Sequence, residues 1–195
     1  MTRISAVTRK TNETNISLRL DLDGAGTYKI DTGVGFLNHM LELFSKHAML
    51  DLELLCDGDT NVDAHHTVED CGIALGTAIR EALGDKIGIR RYATKLVPMD
   101  ETLVMANLDI SGRSYFIYNV ELKQNCVGTF DAELCEEFFR AAAMNAGLTL
   151  HLNMQYGKNT HHIIEGCFKA FGQALREAVS VDPEIKGVFS TKGVL

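Results

Sequence analysis

The sequence predicts an α+β fold of two pseudo-symmetric repeats, each a mixed β-sheet with two helices, the helices packed between the sheets. Three observations carry that prediction. The segment His65–Leu83 lies over His161–Val179 without a gap, and ten of its nineteen positions are identical. A second match sets Glu13-Thr14 through Leu20-Asp21 to Gly24 over Glu101-Thr102 through Leu108-Asp109 to Gly112. Strand-like and helix-like runs follow the same coarse plan in both halves, 1–92 and 93–195, which are expected to pack as one catalytic unit.

The strands read from period-two or apolar runs bounded by Gly, Asp and Asn turns: Ile16–Leu22, Leu50–Leu55, Leu103–Ile110, Tyr115–Val120 and Leu148–Leu152. The first helix of half one spans Phe36 to Ala48, with Phe36, Met40, Leu43 and Phe44 on one stripe. Its counterpart spans Ala132 to Ala146 with Leu134, Phe138 and Ala142. The repeated segments are the second helices. They turn Val68, Cys71, Leu75, Ala78 and Ala82, or Ile164, Cys167, Phe168, Phe171 and Leu175, toward a core, with Asp63 and Asn159 as N-caps.

Composition excludes several classes. The chain has 195 residues and a net charge of −7, without the clustered Lys and Arg of a nucleic-acid footprint. An anionic ligand must therefore be met by a few placed cations. The first thirteen residues hold no apolar leader core, and no later stretch reaches the ~18 apolar residues of a membrane span, so a cytoplasmic chain is expected. Five cysteines without a Cys-x-x-Cys motif indicate reduced, mostly buried thiols.

The histidines carry the chemistry. Four of seven stand in the two His-His-x-x-Glu blocks. On a helix, positions i and i+4 share a face, so His65 with Glu69, and His161 with Glu165, approach one ion. His66 and His162 point about 100° away and serve a second ion. Two copies of this arrangement predict two equivalent metal sites, and imidazole with carboxylate suits Mn, Fe or Zn rather than Ca or Mg. The Glu lies outside the histidine pair, which disfavours a His-Glu-x-x-His protease. His39 and Glu137 fall at matching places in the two first helices and are candidates to complete the sites. Arg91, Arg113, Lys169 and the tail residues Ser190, Thr191 and Lys192 are the candidates to hold an anion. A dinuclear hydrolase and a metal-stapled structural protein fit the ligands alone.

The combination of Asn38-His39-Met-Leu, Asp63-Ala-His-His-Thr-Val-Glu-Asp70, Asn159-Thr-His-His-Ile-Ile-Glu165 and Ser190-Thr-Lys-Gly193 resembles the imidazoleglycerol-phosphate dehydratase family. The resemblance spans the chain from Glu13 to the tail and leaves no room for a fused phosphatase domain. It implies a lyase of histidine biosynthesis that dehydrates D-erythro-imidazole-glycerol phosphate to imidazole-acetol phosphate. It further implies two Mn²⁺ per active site, a metal-bound imidazolate and a diazafulvene-like intermediate. The implied metal ligands are His39, His65, His66, Glu69, His161, His162 and Glu165, with Glu137 standing where relatives often have histidine. The implied phosphate contacts are Arg91, Arg113, Lys169, Ser190 and Lys192; Glu13 matches an active-site carboxylate and is the first choice as base, with Glu165 a possible helper. A 24-subunit assembly of trimers, with metal sites completed between subunits, is also implied.

Overall fold

The computed structural model describes residues 3–195. In chain order its elements are β1 (Ile4–Lys10), β2 (Thr14–Asp21), β3 (Tyr28–Asp31), α1 (Gly35–Ala48), β4 (Asp51–Gly58), α2 (His65–Leu83), β5 (Tyr92–Met99), β6 (Thr102–Asp109), β7 (Tyr115–Asn119), β8 (Cys126–Val127), β9 (Phe130–Asp131), α3 (Leu134–Ala146), β10 (Thr149–Tyr156) and α4 (Thr160–Val179). The sheets are ordered β1-β2-β4-β3 and β5-β6-β10-β7, so the repeat in sequence is a repeat in topology. In each, three strands pair antiparallel and the fourth joins parallel. A parallel neighbour needs a crossover. Here α1 supplies it between β3 and β4, and α3 between β7 and β10.

Alternation sets the register. β2 buries Thr14, Ile16, Leu18 and Leu20, and β6 buries Thr102, Val104, Ala106 and Leu108, so a slip of one residue would turn either apolar row to solvent. β1, β3 and β5 lie outside the runs picked from the sequence. They are edge strands with broken alternation, and a half-solvated edge does not demand a clean one.

The helices fill the space between the sheets. α1 and α2 lie on the first sheet, α3 and α4 on the second, and the layers meet as α2 on α3 and α1 on α4. α2 and α4 bury the stripes read from the sequence. α3 buries Leu134, Phe138 and Ala142, but it starts at Leu134 rather than Ala132. α1 departs from expectation: Leu37, Met40, Leu41, Phe44 and Ala48 are buried, while Phe36 and Leu43 are only half-buried. Packing against both β3 and α4 rotates its buried arc. Asn159 caps α4 as expected, accepting from the backbone N–H groups of His161 at 2.9 Å and His162 at 3.4 Å. α2 begins with Ala64 at its cap; Asp63, one residue earlier, still accepts from the His65 N–H at 2.7 Å.

Glycine sets how closely the layers meet. A Cβ on Gly76 would stand 2.4 Å from the Ala142 carbonyl oxygen, and one on Gly172 would stand 2.9 Å from that of Phe44. These glycines are repeat equivalents, so the α2–α3 and α1–α4 crossings share one device. Phe44 stacks on Phe171 across the second crossing at 5.2 Å between centroids, and Phe138, Phe139 and Phe168 pack at 4.6–5.5 Å beside it. A second anchor holds α2 to its sheet. The buried Asp70 carboxylate accepts from Arg9 at 2.7 Å and from the Thr14 hydroxyl.

Gly76→Ala raises helix propensity yet should destabilise the protein by about 1–3 kcal/mol, because the methyl meets backbone that cannot yield. Denaturant titration checks this; a variant at least as stable as the parent would contradict the backbone contact. Asp70→Ala should cost about 2 kcal/mol by leaving the hydroxyl and guanidinium unpaired, read by the same titration.

Candidate metal centre and anion cavity

Among the described residues one cluster of metal-ligating side chains forms. His39, His161 and Glu165 bring one donor atom each to within 4.8 Å of one another. His161 and Glu165 come from the first turns of α4, spaced i and i+4, and their Nε2 and Oε2 stand 3.3 Å apart. His39 comes from α1, in the other half, across the Gly172 crossing. The edge of Phe36 against the His161 ring, 5.2 Å between centroids, limits how that ring can turn. Glu165 is buried and meets Lys169 Nζ at 2.5 Å. Burial pushes its carboxyl up, but the Lys169 ammonium and the His161 and His39 rings outweigh it and hold it below the usual carboxylate value. These neighbours favour the ionised carboxylate, the form that can ligate a cation.

The repeat-equivalent trio is not gathered in the same way. At the α2–α3 crossing Ala142 and Ala146 occupy the places of Phe44 and Ala48, which puts Glu137 at the place of His39. His65, Glu69 and Glu137 nevertheless form no donor cluster of this size among the described residues. Glu137 leans on its own helix instead, 3.6 Å from Arg140 Nε. Within one chain the two trios therefore differ, whereas the repeat predicts two equivalent sites.

The His66 and His162 rings lie nearly perpendicular to those of His65 and His161, at 84° and 81°. Each ring is held at Nδ1 by a carboxylate: His66 by Asp59 at 3.0 Å and His162 by Glu101 at 2.8 Å. The Asp59 and Glu101 bonds raise the pKa of the two imidazoles, and the Glu101 carboxyl in turn falls far below its ordinary value through His162 and the Asn159 N–H. On the Nε2 side stand Glu13 at 3.7 Å from His66 and Asp100 at 3.9 Å from His162. Sequence reasoning missed Asp59, Asp100 and Glu101. The available signal was the alignment of Glu101 with Glu13.

The anion candidates separate into two places. Arg91, Arg113, Ser190, Thr191 and Lys192 line one cavity of about 630 Å³, which the tail closes by folding back. Bridges Ile87↔Val188 and Ile89↔Val181 hold the tail there. The Arg91 guanidinium is already engaged, with Asp109 at 2.7 and 3.2 Å and the Phe189 carbonyl at 2.8 Å. It therefore anchors the tail. Arg113 and Lys192 are the cations of this cavity without an ion-pair partner among the described residues. Lys169 does not line it and stands with Glu165.

The family profile described as imidazoleglycerol-phosphate dehydratase matches residues 32–175. The chain belongs to the imidazoleglycerol-phosphate dehydratase family. A dehydratase of that name from Listeria welshimeri is 58% identical over 193 residues, 99% of this chain and 100% of the relative. One from Clostridium kluyveri is 55% identical over the same shares. The crystal structure of the Staphylococcus aureus dehydratase is similar with a TM-score of 0.84 at 45% identity, covering 92% of this chain and 99% of that one. That from Pyrococcus furiosus has a TM-score of 0.84 at 34% identity, covering 97% and 100%. A dehydratase is a hydro-lyase, which sets the enzyme class. No helix among the described residues is long and apolar enough to cross a membrane.

His39→Ala removes one of the three clustered donors, so the affinity of this cluster for a divalent ion, probed with Mn²⁺, should fall about tenfold or more with the fold intact. Mn²⁺ titration followed by electron paramagnetic resonance reads it, and unchanged binding would remove His39 from the site.

Proposed function

We propose that the chain dehydrates D-erythro-imidazole-glycerol phosphate to imidazole-acetol phosphate in histidine biosynthesis, using two Mn²⁺ per active site. The His39–His161–Glu165 cluster is the observation that carries this reading. Two imidazoles and one ionised carboxylate are a donor set for a borderline divalent ion such as Mn²⁺. His65, His66, Glu69, His162 and Glu137 are the further ligands proposed. Bound there, the ions would supply Lewis-acid polarisation of the substrate's imidazole ring.

The chain's own residues supply the rest. Glu13 is half exposed and stands beside His66, without the tight bonds that occupy its repeat counterpart Glu101. That freedom suits a base taking the proton from the glycerol carbon. Glu165, buried against Lys169, stays a ligand and an electrostatic helper. Arg113, Lys192 and the Ser190 and Thr191 hydroxyls suit the phosphate, with Arg91 holding the tail in place and Lys169 near the ligands.

We further propose that the chain assembles with copies of itself into a 24-subunit array of trimers. The unclustered half-one ligands suit sites completed by neighbouring copies. The outer face of the second sheet exposes Tyr92, Leu96, Tyr115, Ile117 and Tyr156, an apolar surface suited to burial between copies. Five free thiols suit a reducing cytoplasm. The acidic charge balance suits a phosphorylated small molecule held by a few cations rather than a nucleic-acid partner.

Turnover of the substrate should vanish after chelation and return with Mn²⁺. Glu13→Gln should lower it about 100-fold or more with Mn²⁺ binding retained. No turnover in folded, metal-loaded protein would sink the function; a Glu13→Gln enzyme within a few-fold of the parent would move the base elsewhere.

A further inference from the structure

The second His-His doublet divides its work between its two rings. The first ring of the second doublet joins the donor cluster, and the second ring of both doublets is gripped from behind. The grips are not copies of one another. Asp59 follows β4 and reaches His66 Nδ1 with both carboxylate oxygens, at 3.0 and 3.2 Å. Glu101 precedes β6 and meets His162 Nδ1 at 2.8 Å. Glu101 is itself pinned. It accepts from the Asn159 N–H at 2.8 Å, the Lys158 N–H at 3.2 Å and the Thr102 hydroxyl at 3.1 Å. Asp59 is tied through its backbone N–H to the Glu13 carbonyl at 3.0 Å. Different chain segments thus present an acceptor to the same ring atom in both halves.

A neutral imidazole carries one N–H, and a carboxylate only accepts. An acceptor fixed at Nδ1 therefore places the proton there and leaves a lone pair on Nε2. Beyond Nε2, the Glu13 and Asp100 carboxylates lie 3.7 and 3.9 Å away, too far to hydrogen-bond it. Nε2 is left directed at a space that a carboxylate also borders.

We infer that Asp59 and Glu101 are positioning residues that fix His66 and His162 in the Nδ1–H tautomer, holding both Nε2 lone pairs ready for a divalent cation. The cation's role rests on the metal reading proposed above; the tautomer does not. Glu101 acts through His162 and is not a second base, despite its alignment with Glu13.

The test uses the full chain, metal-free, labelled with ¹⁵N-histidine and studied by solid-state NMR at alkaline pH, where the rings are neutral. The parent should show His162 protonated at Nδ1. Glu101→Gln, whose amide oxygen still accepts, should keep that state. Glu101→Ala should move the proton to Nε2. Mn²⁺ affinity, read separately from the free-ion electron paramagnetic resonance signal, should fall about 10- to 100-fold in Glu101→Ala and recover in Glu101→Gln. An unshifted His162 proton in Glu101→Ala overturns the inference. A shifted proton with unchanged Mn²⁺ affinity upholds the tautomer assignment and sinks the metal role of His162. Because Glu101 also receives two backbone N–H groups, Asp59→Asn and Asp59→Ala, read at His66, repeat the test at a residue whose carboxylate meets only the ring.

Discussion

The approach of α4 to α1 at Gly172 sets the distance between the two halves, and the metal cluster is built from that distance. Carbonyl and amide groups of α1 come so near α4 that a methyl group would collide with them. His39 can then reach the His161–Glu165 pair although it belongs to the other repeat. The Phe44–Phe171 stack fills the space just beyond the glycine and stiffens the crossing. The same crossing device at Gly76 joins α2 to α3. A duplicated sequence has thus produced two interfaces, each pairing a helix of one half with a helix of the other.

The duplication is imperfect where chemistry is concerned. Glu137 takes the place of His39, and a carboxylate beside Arg140 on its own helix has a local partner that an imidazole would lack. Half one turns Asp59 to His66 and leaves Glu13 loosely held; half two spends Glu101 on His162 and two backbone N–H groups. Equivalent positions have therefore taken different tasks. The buried Asp70 tie to Arg9 and Thr14 is another departure, since Gly166 occupies the corresponding place in α4.

The anion cavity depends on a different principle, the return of the tail. Residues 181–195 add two isolated bridges to the 87–89 segment, and the Arg91 guanidinium then bonds the Phe189 carbonyl. Arg91 itself sits at φ +71°, an uncommon conformation for a residue with a side chain. Its neighbours hold it there: its N–H bonds the Ala178 carbonyl at 2.9 Å and its carbonyl accepts from Ile110 at 3.0 Å. Ser190, Thr191 and Lys192 are delivered beside Arg113 as a result.

The sequence by itself determined the repeat, the fold class, the central strands and the buried stripes of α2 and α4. These follow from periodicity, and a period is a local property of the chain. It also displayed the two His-His-x-x-Glu blocks, because helical spacing puts a histidine and a glutamate on one face without help from elsewhere. Only the tertiary structure decided that His39 joins the ligands of the opposite half, that Glu137 turns to Arg140, and that Lys169 stands with Glu165 rather than with the tail. It also decided that Asp59 and Glu101 grip the second histidines. The reason is physical. Those contacts join residues far apart in the chain, and carboxylates are too common for a single sequence to mark which of them meets an imidazole. Helix crossings and turns settle that, once the glycines let the two layers close.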